Sequence, residues 1–74
     1  MSWSVKVYDK EQGTPVFVDF LETFGDVVTC VGSIATAFGE RKYRLAFDVP
    51  ESATSEEIDR LNHHGTVRVD PTHV

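Results

Sequence analysis

The sequence has little of what usually marks a function. Its 74 residues include one cysteine, Cys30, so no disulfide can close within the chain and a cysteine-based zinc site lacks ligands. No apolar run approaches the ~20 residues that span a bilayer. The opening MSWSVKVYDK has no apolar stretch of the secretion-signal kind, and with a lone thiol the expected compartment is the cytoplasm. Positive charge is also scarce: 7 Lys and Arg stand against 12 Asp and Glu, giving a net charge of −5 and a pI near 4.9. That balance repels phosphate at long range and argues against broad nucleic-acid affinity. Gly25, Gly32 and Gly39 recur regularly, but without the lysine and hydroxyl that let a glycine loop cradle phosphate. Repeats, low-complexity tracts and linkers are absent, so residues 1–74 read as a single small domain.

What is present is a core. The segment 26–50 organises it: no charge falls between Val27 and Phe38, and then Tyr43, Leu45, Phe47 and Val49 alternate with Arg44, Ala46 and Asp48. Period two makes 43–49 an amphipathic strand, with Arg44 and Asp48 facing water. Trp3, Val5 and Val7 alternate with Ser4, Lys6 and Tyr8, and Val16, Val18 and Phe20 with Phe17, Asp19 and Leu21. Residues 3–21 therefore read as a β-hairpin turning through residues 9–13. Residues 14–25 also carry a competing helix signal, with Thr14 as cap, Pro15 at the first helical position and Gly25 as stop.

Residues 26–38 are ambiguous in the same way. Val27, Val28, Val31, Ile34, Ala35 and Phe38 share a helical face, with Asp26 as a possible cap and Gly39 as a stop. Intrinsic preference opposes a helix of Val, Thr, Gly and Ser, and favours a strand kinked at Gly32. Further on, Thr54-Ser55-Glu56-Glu57 is a capping box for a helix over 54–64, with Ile58 and Leu61 inward and Gly65 at its end. Thr66–Val69 is a short closing strand. The expected fold is α+β: a mainly antiparallel β-meander, one short amphipathic helix and a final strand, with ββαβαβ as the order if 26–38 is helical. The expected buried side chains are Trp3, Val5, Val7, Val16, Val18, Phe20, Val28, Leu45, Phe47, Ile58, Leu61, Val67 and Val69.

Candidate chemistry is thin. Cys30 has no charged neighbour to stabilise a thiolate, so a small buried hydrophobe is the better reading. His63, His64 and His73 lack chelating spacing, and the first two suit the negative end of a helix. The carboxylates of the first third, Asp9, Glu11, Asp19, Glu22 and Asp26, read as solvated surface. Arg41, Lys42 and Arg44 flank Tyr43 in a cluster that can grip phosphate or an acidic partner, or else simply hold a solvated turn.

No catalytic residue, cofactor or metal is assigned. Near this length one core barely suffices; with an intrachain disulfide ruled out and the metal-ligand set thin, oligomerisation is the expected support. Phe17, Leu21 and Phe24 are expected on the sheet face away from the helix, where they would form the interface of a homo-oligomer, most simply a dimer. The resulting expectation is a cytoplasmic protein-interaction or regulatory module without catalytic activity. The alternatives are a nucleic-acid or nucleotide binder using Arg41, Lys42 and Arg44, and an acidic decoy that blocks a nucleic-acid-binding partner.

Overall fold

Alternating apolar residues give β1 (Trp3–Asp9) and β3 (Tyr43–Val49) one dry face each, and these two strands pair antiparallel at the centre of the sheet. The computed structural model describes residues 3–9 and 13–69. The element order is ββαβαβ: β1, β2 (Pro15–Leu21), α1 (Phe24–Phe38), β3, α2 (Ser55–Asn62) and β4 (Thr66–Val69). The sheet runs β2-β1-β3-β4, antiparallel except where β4 joins β3 in parallel after the α2 crossover. This is the expected α+β class, in the order stated as its alternative. Residues 10–12 of the expected hairpin turn, Glu11 among them, lie outside the described residues, as does His73.

The strand reading of residues 26–38 is corrected: they belong to α1. Thr23, not Asp26, is its cap; the Thr23 hydroxyl accepts from the Asp26 N–H at 3.1 Å. Asp26 instead sits in the first turn, where the helix dipole favours a carboxylate. Thr29 and Thr36 turn their hydroxyls back onto the Gly25 and Gly32 carbonyls, both at 3.1 Å. Gly39, at φ 59°, ends the helix, and its N–H donates to the Ala35 carbonyl. Intrinsic preference lost to burial: Val27, Val31 and Ile34 fall on one stripe and are buried against the sheet.

Both helices cover one sheet face. Trp3, Val5, Val7, Leu45, Phe47 and Val49 meet the α1 stripe and Leu61 of α2 in a single core. The expected inward face of β3 is found, and so is the capping box: Thr54 Oγ1 accepts from the Glu57 N–H, and the Glu57 carboxylate accepts from the Thr54 N–H. Ile58 is half-buried beside buried Leu61.

The expected facing of β2 is corrected as well. Leu21, Asp19 and Phe17 pair with Trp3, Val5 and Val7, so they lie on the helix side. Val18 and Phe20 pair with Lys6 and Ser4 on the open side, and Val16 is the extra residue of a bulge opposite Val7 and Tyr8. Both alternating sets of β2 are apolar, so alternation alone does not choose a face. The short link from Leu21 to Phe24 does, by carrying the chain straight into a helix whose Phe24 ring packs 5.7 Å from Trp3. Val16, Val18, Phe20, Val28 and Val69, expected in the core, are exposed.

Candidate functional site

An edge strand normally guards its free hydrogen-bonding row with charge, brevity or a cover. β2 is an edge strand and is apolar on both faces. Val16 is 48% exposed, Phe17 44%, Val18 39% and Phe20 70%. Asp19 is the one charged residue of the strand, and it is turned inward towards α1.

Between β2 and α1 lies an open groove of about 600 Å³, floored by Leu21 and Ile34 and walled by Phe17 and Phe38. Small side chains of α1, Ser33 and Ala37, leave it wide. Cys30 is half-buried in it, with Sγ 4.0 Å from Asp19 Oδ2. Burial first, and the Asp19 charge second, push the Cys30 thiol above its ordinary value. A thiol held protonated is a poor nucleophile. The groove is thus mainly apolar, with two carboxylates, Asp19 and Asp26, in its lining.

The sequence-expected interface residues are only partly reunited here. Phe17 and Leu21 line the groove, on the helix side rather than the face away from it. Phe24 lies elsewhere, on α1, with its ring against Trp3 and the Arg60 guanidinium 5.4 Å away.

The basic cluster is divided. Arg41 Nη2 is 3.6 Å from Asp9 Oδ2, and its guanidinium lies 5.0 Å from the Phe38 ring centre. Tyr43 packs on Phe38 from the helix side, with ring centres 4.9 Å apart. Arg44 points to the opposite face, 4.7 Å over the Tyr8 ring. The four residues from Arg41 to Arg44 share only a shallow depression at the start of β3.

The chain was compared with protein-family models, curated proteins and solved structures. Nothing matches it. What it can do therefore has to be read from its own surfaces. His63 caps α2, with Nδ1 2.8 Å from the Asp59 carbonyl, and among the described residues no group of three or more His, Cys, Asp or Glu is placed to hold a metal ion. None of the described helices is long and apolar enough to cross a membrane.

Sequence reasoning missed the exposure of Val16, Val18 and Phe20. The signal was there: a strand apolar at successive positions has no face to give to water, so it marks either a central strand or an unprotected edge.

Proposed function

We propose that this protein is a non-catalytic interaction or regulatory module of the cytoplasm that assembles as a homodimer, pairing β2 with β2 of a second copy. The observation that carries the reading is the apolar edge itself, with Phe20 70% and Phe17 44% exposed on opposite faces of one edge strand. A two-fold axis perpendicular to the sheet maps each face onto itself, so residues facing each other across the seam must share a face. An axis through Val18 satisfies this. It sets Val18 against Val18 and Phe17 near Asp19, and it avoids opposing the two Asp19 carboxylates. The two α1 helices then flank the seam on one side, and each Phe17 reaches the groove of the other copy beside Ser33 and Ala37. Assembly of this kind joins main-chain hydrogen bonds to burial of apolar area, which together favour an obligate contact.

Sedimentation tests it. The expected mass is twice the 8.3 kDa chain, and Phe17→Glu, which puts like charge beside Asp19 and Asp26, returns the mass to one chain while circular dichroism stays native. A single-chain mass at high concentration overturns the reading.

A further inference from the structure

In a protein of net charge −5, the open face of the sheet is where positive charge collects. The register lays this face out in rows. One row runs Phe20, Ser4, Asp48, Arg68; the next runs Val18, Lys6, Ala46, Thr66; Tyr8 and Arg44 stand side by side in the third. Three of the seven basic residues, Lys6, Arg44 and Arg68, thus share a helix-free surface on which, among the described residues, Asp48 is the one carboxylate. The acidic side chains of Asp19, Asp26, Glu51, Glu56, Glu57 and Asp59 lie on the helix side or in the loops and α2.

Asp48 holds two of the cations in place. Its Oδ1 takes the Arg68 Nε at 3.1 Å, while its Oδ2 takes Lys6 Nζ at 3.5 Å and the hydroxyl of buried Ser4 at 3.2 Å. One carboxylate cannot neutralise two cations. Two aromatic rings lie on the same plane: Tyr8 under the Arg44 guanidinium at 4.7 Å, and Phe20, the most exposed large apolar side chain described.

We propose that this face binds single-stranded nucleic acid. Fixed cations spaced across neighbouring strands, each about 4.8 Å apart, meet successive phosphates, and the Phe20 ring and the Tyr8–Arg44 stack receive unpaired bases. A duplex offers no free base to these rings. An acidic peptide uses the cations alone and leaves Phe20 idle, so the rings favour nucleic acid. The surrounding negative charge restricts docking to this face and keeps the interaction sensitive to salt. The proposal needs only one copy of the chain and does not depend on β2 pairing.

Fluorescence anisotropy with a labelled oligouridylate of about ten nucleotides tests it on the full chain. The expected result is saturable binding at low salt, with log affinity falling against log salt at about −0.7 per phosphate neutralised. Arg68→Gln should lower that slope by about 0.7. Phe20→Ala should weaken binding about tenfold with the slope unchanged. Asp48→Asn, which releases both cations, should tighten it, and Arg41→Gln, at the divided tip, should leave it as it was. Sedimentation of Phe20→Ala, together with its circular dichroism spectrum, separates lost stacking from altered assembly or fold. Absence of binding at low salt overturns the proposal. So does binding that Arg41→Gln abolishes and Arg68→Gln does not touch. If Phe20→Ala binds like wild type and polyglutamate competes as well as the oligonucleotide, the face serves an acidic protein instead.

Discussion

Gly65 and Gly32 sit at or within helices, and they are glycine for different reasons. Gly65 follows α2, and its N–H donates to the Leu61 carbonyl at 3.1 Å. A Cβ there would overlap the Leu45 carbonyl of β3, which is main chain and cannot swing aside. Gly32 is mid-helix, and a Cβ on it meets nothing within 4 Å. Gly65→Ala is therefore expected to destabilise the fold by about 1–3 kcal/mol. Gly32→Ala should stabilise it by about 0.8–1 kcal/mol through helix propensity. Urea titrations of the two variants check the pair, and the reverse order would sink the packing argument. Cys30 gives a second test at this scale. Its folded value is raised, so the unfolded chain loses the thiol proton first; the stabilising contribution is whole at neutral pH and is lost as pH climbs past the ordinary thiol value. Alkylation of Cys30 by iodoacetamide should be slower than in the unfolded chain at the same pH. Asp19→Asn should speed it only in part, because burial is the larger cause. Full recovery of the unfolded rate would mean that the charge, not the burial, governs the thiol.

The two helices show what a local pattern can and cannot fix. α2 was legible because its signal is chemical and self-contained: Thr54 and Glu57 satisfy each other's backbone donors at 3.1 and 2.9 Å, whatever the rest of the chain does. Thr54→Ala should lower stability by about 0.5–2 kcal/mol, read from the urea midpoint, and fray the first turn in backbone chemical shifts. An unchanged midpoint would show that α2 is held by Leu61 and Ile58 alone. α1 was misread because its residues prefer strands one by one, and its helicity comes from a sheet face that only the finished fold supplies. β3 was legible from strict alternation. β2 was not, since two apolar sets leave its facing to the neighbouring link at Glu22 and Thr23. The site followed the same rule: Phe17 and Leu21 line the groove on the helix side, not the face away from the helix where they were expected. The open-face grouping of Lys6, Tyr8, Arg44 and Arg68 needs strand order, which no single segment encodes.

At the scale of the molecule, the sheet has two edges, and they are not equivalent. β4 is four residues long and carries Arg68, whereas β2 is seven residues long with its one charge turned towards α1. Short, charged edges resist pairing and long apolar ones invite it. An open array would need β2 of one copy to pair with β4 of the next, and the protected edge disfavours that. Pairing of β2 with β2 uses up the unprotected edge on both copies and closes the assembly at two. Hydrogen exchange followed strand by strand discriminates these outcomes. At high protein concentration the β2 amides are expected to exchange slowly, those of β4 faster, and dilution should release β2 while leaving β1 and β3 protected. Sedimentation on the same samples should saturate at two chains, with no larger species. If β2 exchanges as freely as β4 at every concentration, the strand is not paired, and the groove beside it awaits a different occupant. If β4 becomes protected together with β2, and mass grows without limit, the copies join head to tail and the closed dimer is wrong.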